Sequence, residues 1–317
     1  VIITSTAKMS LRHQQNLMDQ FSEHQFYFFD NMKKTDPDRL SQSEILLTYG
    51  EDLTESIINQ MPKLKWIQVL SAGLELMPFQ CLQARGILVT NARGIHKIPM
   101  AEYTMAMILE ITRKNRELYD LQKKSFWDRT IRVDEVYGLT LGIVGLGSIG
   151  EEIAKRAKVF GMKVIGIKRE AAEPNEHVDE ILQMKDLPYL LNQSDFVVVL
   201  LPTTPETAKC IGANELSMMK STAYFINMAR GAIVDEQALL EVLREKKIAG
   251  AVLDVFEQEP LPEEHPFWQL DNVRITPHLS GRSPHYMKRA LDIFEANLKK
   301  YPHTSQMKNV IDLAKGY

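Results

Sequence analysis

Cysteine is nearly absent from this 317-residue sequence: Cys81 and Cys210 are the whole supply, far apart and outside any Cys-x-x-Cys or Cys/His cluster. A disulfide framework and a metal site are therefore not expected, and a reducing, cytoplasmic setting fits. Long apolar runs are missing too. No stretch reaches the ~20 residues that a helix needs to cross a bilayer. The opening Val-Ile-Ile-Thr is not a basic segment leading into an apolar one, so no targeting signal is read. Charge of one sign is also scarce. Lys and Arg number 38 against 41 Asp and Glu, for a formal net charge of -3 and a sequence pI of about 6.3. No global field therefore recruits nucleic acid or an anionic membrane. Lys123 with Lys124, and Lys246 with Lys247, read as solvated faces. Low-complexity tracts and repeats of solenoid length are absent as well. What remains is an ordinary composition, 44% apolar and 25% charged, at a length of about two domains.

Two series of short apolar runs fill the chain. The first comprises 1–4, 25–29, 44–48, 66–70 and 86–90; the second comprises 141–146, 163–168, 196–201, 223–227, 250–255 and 273–276. Amphipathic stretches such as 11–21, 151–160 and 236–245 lie between them. Strands that alternate with helices predict parallel sheets covered on both faces, here as two doubly wound α/β lobes. Two longer helical patterns, 99–124 and 283–301, flank the second series. In the first of these, Met100, Tyr103, Met107, Ile108 and Ile111 recur near a 3.6-residue period.

The second series opens on "LGIVGLGSIG", a strand running into G-x-G-x-x-G and a helix. Gly145 permits the tight turn, Gly147 lets backbone approach a pyrophosphate, and Gly150 lets helix and strand pack closely. Ser148 and Ile149 begin the helix, whose free N–H groups suit phosphate. A dinucleotide is the expected ligand. The next strand ends in Lys168 and Arg169, where a carboxylate would normally take the ribose 2'-hydroxyl. Two cations there favour a 2'-phosphate, by about one to three orders of magnitude in binding. NADP, as NADPH, is thus the preferred cofactor, with NAD also accommodated; the alternative is that both side chains point into solvent.

Three further stretches put polar groups just after strands: "INMARGAIVDEQAL", "VLDVFEQEPLP" and "NVRITPHLSGRS". Ligands of open α/β sheets bind at the carboxyl ends of strands, so Arg230, Asp254, Glu259 and His278 can converge there. With "SAGLE" at 71–75, "NARGIHKIPMAEYTMAMIL" at 91–109, "LPTTPET" at 201–207 and the closing "NVIDLAKGY", these motifs make the chain resemble the D-isomer-specific 2-hydroxyacid dehydrogenases over nearly its whole length.

The resemblance implies a Rossmann cofactor domain, 98–283, inserted in a flavodoxin-like substrate domain, 1–97 and 284–317. It implies reduction of a small 2-oxo acid to a D-2-hydroxy acid, glyoxylate or hydroxypyruvate fitting best. His278 would be the acid/base, Glu259 its partner (chosen over Glu257 because it precedes Pro260) and Arg230 the holder of the substrate's carboxylate and carbonyl oxygen. Ser71, Ala72 and Gly73 would bind substrate with Arg230 and His278, and domain closure would exclude water. Pro202, Thr207, Met228, Ala229, Asp254 and Gly281 would line the dinucleotide, and the 99–124 helix would help form a homodimer. Tyr49 is a candidate lining residue, Trp268 reads as packing, and Trp127 either packs or reaches a neighbouring subunit. A non-catalytic dinucleotide-sensing protein on the same scaffold is the alternative. Glu259 argues against a formate-oxidising relative. The long phosphoglycerate dehydrogenases are disfavoured because no regulatory domain follows Tyr317, while a short form stays open.

Overall fold

The structure, a computed structural model, describes residues 1–74, 76–170 and 173–314. Glu75 of the "SAGLE" motif and the last three residues of "NVIDLAKGY" lie outside them. The chain divides into two compact units, Val1–Ile95 with Ser283–Tyr317, and His96–Arg282.

The first unit holds five strands: β1 (Ile2–Ser5), β2 (Gln25–Phe28), β3 (Ile45–Thr48), β4 (Trp66–Val69) and β5 (Leu88–Thr90). All pair in parallel, in the order β2-β1-β3-β4-β5 of a flavodoxin-like sheet. Helices α1 (Leu11–Gln20), α2 (Pro37–Gln42), α3 (Glu55–Asn59) and α4 (Phe79–Ala84) connect them. Short polar side chains start three of these helices: Ser10, Asp36 and Thr54 each accept a first-turn N–H. Inside the sheet, the fully buried Trp66 donates its Nε1–H to Thr90 Oγ1 at 2.8 Å, and Thr90 donates on to Gln68 Oε1 at 2.8 Å.

The second unit begins with α5 (Lys97–Thr112) and α6 (Asn115–Lys123). The sequence pattern over 99–124 predicts one helix, but the chain breaks it at Lys114, whose φ of 55° is left-handed. β6 (Thr140–Val144), α7 (Ser148–Val159), β7 (Lys163–Ile167) and β8 (Glu180–Leu182) follow. Then come α8 (Leu187–Gln193), β9 (Phe196–Val199), α9 (Ala213–Ser217), β10 (Tyr224–Asn227), α10 (Glu236–Arg244), β11 (Gly250–Leu253) and β12 (Val273–Ile275). The seven strands are parallel, in the order β12-β11-β10-β9-β6-β7-β8. This is the doubly wound Rossmann arrangement with one added edge strand. The order reverses between β6 and β9, which places a ligand crevice at their carboxyl ends.

The last helix, α11 (Tyr286–Leu298), belongs to the first unit. Its Ala290, Leu291, Phe294 and Leu298 pack with Ile3, Leu17, Ile45 and Trp66, the Phe294 ring 5.4 Å from the Trp66 ring. It starts after Pro284, which disfavours helical geometry at Ser283. None of the helices among the described residues is long and apolar enough to cross a membrane.

One close approach decides how the loops after β10 and β11 meet. A Cβ on Gly231 would lie 2.0 Å from the carbonyl carbon of Phe256 and 2.1 Å from its oxygen. Backbone cannot step aside as a side chain can. The Gly231→Ala variant is expected to lose about 1–3 kcal/mol or more of stability, read as a lower urea midpoint in a tryptophan-fluorescence unfolding curve.

Candidate active site

The loops that leave β10, β11 and β12 carry the chemistry-bearing residues of the second unit. His278 Nδ1 lies 2.8 Å from Glu259 Oε2, and the other carboxylate oxygen accepts from Phe256 N at 3.1 Å. A carboxylate only accepts, so the Nδ1 proton stays between the two side chains and Nε2 is left for other work. Both side chains remain accessible, at 50% for His278 and 37% for Glu259, as groups that meet a ligand must be. Arg230 follows β10 one residue before Gly231. Asn227 Nδ2 donates to its carbonyl at 3.2 Å, and its own Nη1 donates to Ala229 O at 2.8 Å. The close packing of Gly231 on Phe256 therefore ties the Arg230 loop to the loop that bears Glu259.

His278 has φ 52°, a left-handed conformation that costs an L-residue roughly 1–2 kcal/mol. Its N–H is held by the carbonyls of Asp254 at 2.9 Å and Thr276 at 3.0 Å. The Asp254 side chain, fully buried, accepts from Leu279 N at 2.8 Å and Ser280 N at 2.9 Å. The residue expected near the nicotinamide thus spends both oxygens on the His278 loop.

At the β6–α7 turn, Gly145 has φ 109°, and a Cβ there would come within 2.9 Å of Leu200 backbone. One on Gly150 would lie 2.8 Å from Gly145 O, whereas one on Gly147 would meet nothing within 4 Å. The third glycine buys close packing and the second faces open space. The N–H groups of Ser148, Ile149 and Gly150 precede the first intrahelical donor, Glu151 N, which bonds Gly147 O at 2.9 Å. Open space beside free N–H groups at a positive helix end fits a pyrophosphate.

Lys168 and Arg169 follow β7. Lys168 Nζ is 3.5 Å from Glu151 Oε1, and the Arg169 charge acts on Glu206, whose carboxyl is held below the usual range first by its bond with Thr204. Thr207 Oγ1 donates to Pro202 O at 2.6 Å and so shapes the loop after β9. Met228 and Ala229 present buried backbone after β10, and Ala229 N bonds Asn227 Oδ1 at 3.1 Å.

In the first unit, Ser71, Ala72 and Gly73 form the turn after β4. Their carbonyls are tied back: Ala92 N donates to Ser71 O at 2.9 Å, Asn91 Nδ2 to Ala72 O at 2.9 Å, and Ser71 Oγ to Gly73 O at 3.1 Å. Tyr49 O accepts from Ser71 Oγ at 3.4 Å; burial, with the Glu51 charge added, pushes the Tyr49 phenol up. Trp268 is half exposed, with its indole N–H on Pro262 O at 2.9 Å, and Trp127 is 88% exposed.

A Rossmann sheet with a glycine-rich turn at the head of its first helix is the architecture of a dinucleotide-binding domain. The family model described as D-isomer specific 2-hydroxyacid dehydrogenase, NAD binding domain, matches residues 105–280, more than half of the chain, and the protein belongs to that family. It is 36% identical over 284 residues to a D-3-phosphoglycerate dehydrogenase of Methanocaldococcus jannaschii, covering 87% of this chain but 53% of that one. The chain thus spans about half the length of that relative. With a glyoxylate reductase of Thermofilum pendens it shares 36% identity over 80% of this chain and 76% of the other. The structure of an NADPH-dependent glyoxylate/hydroxypyruvate reductase from Sinorhizobium meliloti, in complex with NADP and sulfate, superposes with a TM-score of 0.81. It is 27% identical and covers 100% of this chain and 99% of that one.

One neighbour of these residues escaped the sequence reading. His96, the residue before α5, donates from Nδ1 to Gly281 O at 3.1 Å, and a Cβ on Gly281 would come within 2.9 Å of that nitrogen. Burial pushes its imidazole below the usual histidine range; the Gly281 carbonyl opposes the shift, and the charges of Arg230 and His278 add to it. Only its position inside "NARGIH" could have flagged it. Because the folded His96 resists a proton that the unfolded chain accepts, stability falls as pH drops below about 6.5. Thermal unfolding from pH 7 to pH 5 is expected to show a shallower loss for His96→Asn than for the wild type.

Proposed function

We propose that this protein reduces a small, unphosphorylated 2-oxo acid, glyoxylate or hydroxypyruvate, to the D-2-hydroxy acid, using NADPH in preference to NADH. The observation that carries the reading is the Glu259–His278 pair, 2.8 Å apart, at the strand ends of a sheet whose β6–α7 turn fits a dinucleotide. The reduced dinucleotide, when bound, supplies a hydride to the carbonyl carbon. Every other task falls to groups of the protein itself. His278 delivers the proton to the carbonyl oxygen from Nε2, and in oxidation removes it from the hydroxyl. Glu259 keeps the ring in the tautomer that leaves Nε2 outermost. Arg230 is the fork for the substrate's carboxylate and carbonyl oxygen. Ser71, Ala72 and Gly73 offer N–H groups to the same carboxylate.

Along the dinucleotide, Gly145, Gly147, Ser148, Ile149 and Gly150 take the pyrophosphate. Pro202, Thr207, Met228, Ala229 and Gly281 line the rest; Asp254, expected from the sequence to join them, is fully buried and acts instead by holding the His278 loop. Lys168 and Arg169 take the 2'-phosphate, and the NADPH dependence named for the Sinorhizobium reductase supports that choice. Both cysteines are free thiols, consistent with a cytoplasmic protein.

Steady-state assays of glyoxylate, hydroxypyruvate, pyruvate and a branched 2-oxo acid, each with NADPH and NADH, test the reading. NADPH-linked turnover of the first two is expected, lost by about 10²–10⁴-fold in His278→Gln. No turnover of any acid would overturn the proposal in favour of a binding protein. Neutral replacements of Lys168 and Arg169 are expected to raise the NADPH Michaelis constant about tenfold or more while sparing NADH. An equal response to both cofactors would remove these cations from the 2'-phosphate.

We also read the protein as a homodimer. α6 buries none of its residues, and Tyr119, Phe126 and Trp127 expose 59%, 60% and 88% of their surfaces. Light scattering is expected to give about twice the 36.3 kDa chain mass; a single-chain mass would refute the dimer.

A further inference from the structure

The strained backbone at His278 needs an anchor, and the hydrogen bonds lead away from the site to one. Asp254 Oδ1, which accepts from Leu279 N, also accepts from Thr276 Oγ1 at 2.5 Å. Thr276 Oγ1 is in turn 2.7 Å from the hydroxyl of Tyr103 on α5. The direction of this chain follows from proton counting. A carboxylate only accepts, so the single hydroxyl proton of Thr276 goes to Asp254, and the Tyr103 phenol must donate to Thr276. Burial pushes that phenol up to about 12, with the charges of Asp254 and Glu110 adding to the rise, so it remains a donor at working pH.

The chain is one of two fastenings between α5 and β12. Glu110 lies seven residues after Tyr103, on the same helix face, and accepts from Arg274 Nε at 3.2 Å. Among the described residues β12 is an edge strand, with β11 as its one neighbour. One fastening grips it at Arg274 and the other at Thr276, just past its end and two residues before His278. Core packing would be served as well by apolar side chains. Donor and acceptor groups in this order, ending on the two N–H groups that follow His278, serve the loop.

We propose that Tyr103 and Thr276 are positioning residues for His278: through Asp254 they fix the left-handed turn that points the imidazole at Glu259. Neither touches substrate. The inference rests on the reading of His278 as the acid/base, and it explains what that reading leaves over, namely why a buried hydroxyl pair sits behind the catalytic loop.

The test uses the full chain with NADPH and whichever of glyoxylate and hydroxypyruvate the wild type turns over better. Thr276→Val keeps the volume and breaks the chain; Thr276→Ser keeps the hydroxyl; Tyr103→Phe removes the outer donor. Expected are a kcat loss of about ten- to a hundredfold for Thr276→Val, near-complete rescue in Thr276→Ser, and a smaller loss for Tyr103→Phe. The Michaelis constant for NADPH stays close to the wild-type value. A readout free of turnover accompanies these. The imidazole C–H resonances of His278, which also respond to its neighbours Glu259 and His96, move in Thr276→Val and return in Thr276→Ser. If wild type is active and Thr276→Val keeps its kcat, or Thr276→Ser recovers nothing, the positioning role is overturned while the proposed function stands. A wild type that turns over none of the acids overturns the function itself.

Discussion

The charge of Asp254 is the constraint on which the site depends. A carboxylate that is 0% exposed is costly to bury unless its oxygens are spoken for. Here Thr276, Leu279 and Ser280 all donate to it, and its backbone carbonyl takes the N–H of His278. In the folded second unit β12 pairs with β11, and its exit lies at the end of β11, where it satisfies the charge. Once the turn is in place, His278 stands opposite Glu259, and the strain of its left-handed backbone is held by bonds that would otherwise be lost together.

The same rim shows a division between groups that are spent and groups that are available. Asp254, Thr276, Thr207 and Asn227 use their polar atoms on loop backbone or on one another. His278 and Glu259 stay accessible, and Gly147 faces open space. Lys168 is an intermediate case. Its partner Glu151 sits in the first turn of α7, and the pair is solvent-exposed, at 40% and 52%. Exposed pairs of this kind contribute only about 0–1 kcal/mol. On the proposed reading a 2'-phosphate would therefore displace little there, although the carboxylate it leaves behind would temper the gain.

Much of this was legible in the sequence. Both series of strands stood out because parallel strands buried on two faces read as unbroken apolar runs. The glycine turn, Arg230, Glu259 and His278 stood out because each lies just after such a run, in a motif that resembles the family's pattern. β8 escaped because Glu180, Ile181 and Leu182 are too few to make a run. The break between α5 and α6 escaped because Lys114 reaches a left-handed φ with no glycine to announce it. His96, Tyr103 and Thr276 were invisible for another reason. Their importance lies in contacts across 185 and 173 residues of chain, and nothing local marks an ordinary His, Tyr or Thr as half of such a pair.

The interrupted first unit carries a consequence for synthesis. Trp66, Ile3 and Ile45 need Phe294 and its helix for cover, and that helix leaves the ribosome only after the entire second unit has emerged. The nascent sheet β1–β5 must wait with one apolar face covered only in part, by α1, while a self-contained, 187-residue neighbour completes its own core. The waiting time, set by translation at roughly 5–20 residues per second, is on the order of ten seconds or more. Over that window the half-made sheet is the part of the molecule most in need of a chaperone.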